Sequence, residues 1–141
     1  MNNYLNPKLS KQEMHNMSSL ALAHIGDSVF EILTRAYLAT NGVCTSKNLH
    51  RETVLMVKAT TQACFADTIL DMLTDEEHAV YKRGRNTSPR SIPKSATRED
   101  YAKATALEAL FGYLYLNQKY DRINELFDKI IKKYEKEEEN V

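Results

Sequence analysis

Apolar residues recur every three to four positions through most of the chain. Glycine and proline number only four and three in 141 residues, so little interrupts that pattern. An all-β fold needs many tight turns, and this composition does not supply them. Ser18 or Ser19 caps a helix running to about Thr40, with Leu22, Ile25, Val29, Ile32, Leu33 and Ala36 as its expected core stripe. Gly42 is placed to stop that helix in a left-handed conformation. Thr45 or Ser46 opens a second helical region, broken or bent, that continues to about Leu73.

Thr74 followed by Glu77 is a capping box, and it starts a short helix ending near Lys82. Residues 83–96, "RGRNTSPRSIPKSA", read as a loop. Thr97, with Glu99 and Asp100 in the first turn, opens a helix to about Leu116. A last amphipathic helix runs from Asp121 to about Tyr134 and leaves a frayed tail at 135–141. The expected fold class is therefore all-α. One domain spans residues 1–141, with 1–17 as an N-terminal extension.

Lys plus Arg and Asp plus Glu are 19 each, so a polyanion must be met by a local patch and not by overall charge. No apolar run reaches the roughly 18 residues needed to span a bilayer. The N-terminus shows no basic-then-apolar leader. Cys44 and Cys64 stand alone, which predicts reduced thiols in a cytoplasmic protein and neither disulfide nor zinc.

Two acids stand out. "LALAHIGDSVFE", residues 20–31, sets a glycine and an aspartate in mid-helix, where glycine costs roughly 1 kcal/mol relative to alanine. At 100° per residue Asp27 falls almost opposite the core stripe, beside Ala23, His24, Phe30 and Glu31. A lone aspartate there is most simply a solvated surface acid, but Gly26 lets another backbone or a ligand come close. Glu108 in "ATALEALFGYLYL" flanks the stripe of Leu107, Leu110, Phe111 and Leu114, near Ala104, Thr105 and Gly112. Small residues around a carboxylate leave room for a hydrated divalent ion such as magnesium, which favours oxygen ligands.

His78 to Arg98 contains no acid but does contain Lys82, Arg83, Arg85, Arg90, Lys94 and Arg98. The plain reading is a solvated loop, and the functional one is a grip on phosphates, helped by Asn86 and neighbouring hydroxyls. Lys47, His50, Arg51 and Lys58 are weaker candidates for backbone contact. Carboxylate-bound metal with a basic polyanion grip fits metal-dependent phosphodiester hydrolysis. His24 could serve in proton transfer, although a helix histidine is more often a packing or interface residue.

"LAHIGDSVFE" resembles the signature helix of ribonuclease III catalytic domains, and "ATALEALFGYLYL" resembles their second signature. The two blocks come in the family's order. With "KRGRNTSPRSIPKSATREDYAKATALEAL" and the overall length, they resemble the compact bacterial branch, Mini-ribonuclease III, which lacks a double-stranded-RNA-binding domain. By position the resemblance implies that Asp27 and Glu108 are the metal-binding, catalytic acids. Where the wider family has two further acids this chain has Ala23 and Thr105.

The resemblance further implies a homodimeric, all-helical endonuclease bundle. It would cut both strands of duplex RNA with magnesium, or manganese in its place, leaving 5′-phosphates. Its expected substrate is the precursor of large-subunit (23S) ribosomal RNA, with ribosomal proteins as possible helpers. The alternatives are a non-catalytic duplex-RNA binder of the same fold and a helical protein-interaction module.

Overall fold

The computed structural model describes residues 1–87 and 96–139. Among them are seven α-helices, one 3₁₀ turn and no strand. The helices are α1 Lys11–His15, α2 Ser19–Thr40, α3 Ser46–Val57, α4 Ala59–Ile69, α5 Asp75–Arg85, α6 Arg98–Leu116 and α7 Tyr120–Glu139. The 3₁₀ turn Leu70–Met72 follows α4 directly.

The helix starts are set locally. The hydroxyls of Ser18, Thr45, Thr74 and Thr97 accept from the N–H groups of Ala21, Asn48, Glu77 and Asp100. Glu77 returns the bond to the Thr74 N–H at 2.9 Å, which completes the expected capping box. Gly42 ends the α2 segment at φ +91°. A second capping box, Ser10 with Glu13, starts α1. That helix lies inside the extension to which the sequence reading assigned no structure, because its five residues are too few to carry a period.

α6 is the axis of the bundle, packed by α2, α4, α5 and α7. This is why its side chains from Ala104 to Leu116 are buried on almost every face. The core centres on Phe30, whose ring lies 5.7 Å from both Phe111 and Phe127 and 6.0 Å from Phe65. α7 lays Ile123, Leu126, Phe127, Ile130 and Ile131 against this centre.

Three expectations are corrected. First, the face of α2 that meets the core is Leu22, Ala23, Gly26, Val29, Phe30, Thr34 and Leu38. Ile32 is 63% exposed, Ala36 is exposed, and Ile25 and Leu33 are only partly covered. The crossing with α6 decides this orientation. A Cβ on Gly26 would stand 1.6 Å from the Glu108 carbonyl oxygen, and one on Gly112 2.0 Å from that of Leu22. Ala, Gly and Thr carry little weight in a hydrophobic period, yet they permit the closest backbone approach.

Second, α5 runs through Gly84 to Arg85, so the loop begins later than expected. Gly84 packs its bare backbone on Ala106 and Ala109. Third, α7 continues to Glu139 where a frayed tail was expected. Its last turns are held because Tyr134 meets Phe65 edge-on at 5.9 Å, and the Tyr37 hydroxyl donates to Glu135 at 3.3 Å.

Candidate active site

Gly26 precedes Asp27, and the backbone that Gly26 touches belongs to Glu108. The α2–α6 crossing therefore sets both acids. Their carboxyls lie within hydrogen-bonding reach of one another, Asp27 exposed and Glu108 partly buried. Asp27 does not stand opposite the core. It shares its side of α2 with buried Ala23, Phe30 and Thr34, yet is itself exposed to solvent. The small residues near Glu108 also act differently from expectation, since Gly112 admits the Leu22 carbonyl and leaves no space.

Burial first, then the hydrogen bond and negative charge of Asp27, push the Glu108 carboxyl up to about 9. A carboxyl raised this far keeps its proton near neutrality, and a cation can take that proton's place. The oxygen donors suit a hard divalent ion such as magnesium. That ion is commonly held by one or two carboxylates, with water and substrate phosphate filling the other positions. Among the described residues no group of three or more His, Cys, Asp or Glu side chains gathers.

One further polar group belongs to this place and escaped the sequence reading. Gln62 of α4 is 3% exposed, and its amide lies near enough to the Glu108 carboxyl to oppose the upward push. Its Nε2 donates to the Val57 carbonyl at 2.7 Å, and its Oε1 is buried without a partner among the described residues. A buried acceptor left unmet costs on the order of 1–3 kcal/mol. The available signal was a glutamine three and seven residues before Phe65 and Ile69, in an otherwise apolar stripe.

Ala23 and Thr105 are 7% and 8% exposed. Ala23 packs with Leu22, Val80, Ala109 and Leu116. His24 is exposed and lines a trough of about 570 Å³ with Ile25, Ile32, Tyr115 and Tyr120, away from Glu108. Glu31 pairs with Arg35 at 3.1 Å.

Lys82, Arg83 and Arg85 are exposed on the last turn of α5, not on a loop, and Asn86 is its C-cap. Positive charge there also complements the helix dipole. Arg83 lines a hollow with Tyr113 and Glu76, and Arg85, two residues on in the same helix, falls about 200° further round, so the two diverge. Arg90 and Lys94 lie outside the described residues. His50 and Arg51 are exposed on α3, where Arg51 meets Glu52 at 3.7 Å. Lys58 is exposed at the break between α3 and α4, close in sequence to Gln62.

The sequence profile of the Ribonuclease III domain matches residues 20–119, a span that includes both acids. The chain is 39% identical over 138 residues to Mini-ribonuclease 3 of Clostridium tetani, covering 97% of this chain and 91% of that one. The chain belongs to the ribonuclease III family. Its similarity to the compact branch extends to Mini-ribonuclease 3 of Enterococcus faecalis, 40% identical over 86% of this chain and 94% of the relative. A crystal structure of a Fusobacterium nucleatum protein superposes with a TM-score of 0.78 at 30% identity, covering 86% of this chain and 97% of the other. As a member of the ribonuclease III family, the chain is an endoribonuclease of that type. No helix among the described residues is long and apolar enough to cross a membrane.

Proposed function

We propose that this ribonuclease III-type enzyme cleaves double-stranded RNA with magnesium held by Asp27 and Glu108, and that its substrate is the precursor of large-subunit ribosomal RNA. The observation that carries the metal reading is the contact between the two carboxyls, with Glu108 driven upward by burial and by Asp27. Magnesium bound there supplies an activated water and neutralises charge at the scissile phosphate. Asp27, on the solvent side, is the acid that incoming phosphate meets first, and Glu108 holds the inner position. Manganese serves in place of magnesium, and the products carry 5′-phosphates.

Duplex RNA is read by its shape and 2′-hydroxyls across a wide minor groove, so exposed cations suffice without a base code. Lys82, Arg83, Arg85 and Asn86, with Arg90 and Lys94 of the following segment, supply them; His50, Arg51 and Lys58 extend the surface. The enzyme acts as a homodimer through the trough beside Ile25, Ile32 and Tyr120, since an exposed apolar patch of this kind marks an interface. The ribosomal substrate, help from ribosomal proteins and a cytoplasmic setting rest on the resemblance to the compact branch.

The decisive experiment is cleavage of long duplex RNA by wild type, Asp27→Asn and Glu108→Gln, with magnesium and with EDTA. Loss of cutting in both variants and in EDTA, with duplex binding retained, is the expected result. Normal cutting by Asp27→Asn overturns the site. Absence of cutting by the wild type favours a non-catalytic binder.

A further inference from the structure

We infer that Gln62 is a positioning residue, holding the Glu108 carboxylate in the orientation that receives the metal ion. The inference deepens the proposed function and rests on its metal-binding reading. α3 and α4 break at Lys58, whose backbone is extended at φ −66°, ψ 153°. The break frees the Val57 carbonyl from the helical ladder, and Gln62 takes that acceptor at 2.7 Å. An amide nitrogen has two hydrogens. The first is committed to Val57, which fixes the side-chain rotamer and leaves the second available to the neighbouring Glu108 carboxyl.

Glu108 is thus met from two sides, its backbone by Gly26 and its carboxyl by the nearby Gln62 amide. The remaining Gln62 atom, Oε1, is an acceptor with no donor among the described residues, shut off from solvent at a position 3% exposed. A purely structural core position facing Phe65 and Ile69 has no use for such an atom. Beside a bound divalent ion, an amide is the kind of partner that orients a ligand and meets coordinated water. Removing partners of this kind weakens metal binding by roughly 10- to 100-fold. With acids missing at Ala23 and Thr105, few other groups can fix the carboxylate.

The test is manganese binding to the full chain by electron paramagnetic resonance, for wild type, Asp27→Asn, Gln62→Met and Gln62→Asn. Melting temperature and duplex-RNA binding in EDTA are followed alongside. Gln62→Met keeps the volume and loses the N–H groups; Gln62→Asn keeps the amide but is too short to reach both partners. The expected result is a manganese Kd raised about tenfold in Gln62→Met and by a smaller factor in Gln62→Asn. RNA binding in EDTA stays unchanged, and cleavage recovers as manganese is raised.

A Kd within twofold of wild type in folded Gln62→Met overturns the inference. If that variant does not fold, the same result in Gln62→Asn does so. Failure of the wild type itself to bind manganese more tightly than Asp27→Asn overturns the metal reading and this inference with it. A wild type that binds beside an unaffected Gln62 variant removes this inference alone.

Discussion

Gly26 and Gly112 lie against each other across the α2–α6 crossing, each occupying ground that a side chain on the other helix would need. A Cβ on Gly26 would come within 2.8 Å of the Gly112 nitrogen, and one on Gly112 within 3.0 Å of the Gly26 nitrogen. The atoms in the way are backbone and cannot swing aside. Gly26→Ala is therefore expected to cost about 3 kcal/mol. Gly84→Ala, whose nearest contacts would be 3.0 and 3.1 Å, is expected to cost about 1 kcal/mol. Urea denaturation of both variants measures the difference, and equal costs would contradict the crossing.

Glu108→Gln is expected to stabilise the metal-free protein. The folded carboxyl titrates at about 9 against an ordinary value of 4.5, so between those limits the folded state keeps a proton that the unfolded chain releases. Wild-type stability from this group is complete below the lower value and is lost as pH rises through the upper one. The glutamine needs no proton. Its advantage in EDTA should be near zero at acid pH and grow to on the order of 2 kcal/mol by neutral pH. Thermal melts across that range check it, and magnesium should narrow the gap by stabilising only the wild type.

Arg122 ties the start of α7 to the start of α5. Its Nε donates to Glu77 Oε2 and its Nη2 to Oε1, both at 2.9 Å, and Nη2 also donates to the Met72 carbonyl at 2.6 Å. Burial pulls the Glu77 carboxyl up, but the bonds from Arg122 and Thr74 outweigh it and hold the group below its ordinary value. Arg122→Met strands a buried carboxylate and should cost about 3 kcal/mol at neutral pH. Glu77 lends stability above its unfolded value and loses it as pH falls through the folded one, so the variant's deficit should shrink in acid. Chemical denaturation at two pH values gives the comparison.

Neutralising Lys82, Arg83 and Arg85 to alanine should weaken duplex-RNA binding without moving the melting temperature much, because all three are exposed. Each lost phosphate contact should reduce the slope of log affinity against log salt by about one. Since Arg83 and Arg85 lie on different sides of α5 by their spacing, the single variants should not contribute equally. Filter binding over a salt series resolves them, and an unchanged slope removes this helix end from the RNA surface.

Ile32→Glu places a charge on the exposed apolar face of α2. If two copies meet there, the dimer Kd should rise at least about tenfold, with the monomer fold intact. Light scattering during size-exclusion chromatography reads the outcome. A dimer of undiminished strength would locate the interface elsewhere.

Much of this was legible in the sequence. Helix starts follow from short-range chemistry, and Ser18, Thr45, Thr74 and Thr97 are all caps. The pair Asp27 and Glu108 came from a resemblance, and the packing supplies its physical cause in Gly26. The orientation of α2 was not legible, because it depends on which face approaches α6 most closely. Periodicity weighs Ile25 and Ile32 above Gly26 and Thr34, so it cannot register that preference. Gln62 was hidden for a related reason: its role depends on the freed carbonyl of Val57 and on a helix remote in sequence.

Because the Glu108 carbonyl is pinned by Gly26, the main chain beneath this acid has no latitude to compensate for a different side-chain length. A loop-borne ligand could relax when shortened by one methylene, but Glu108→Asp would simply retract from its neighbour. Precision of this sort is inherited from the framework, so the reach of this carboxyl is set by its side-chain length alone.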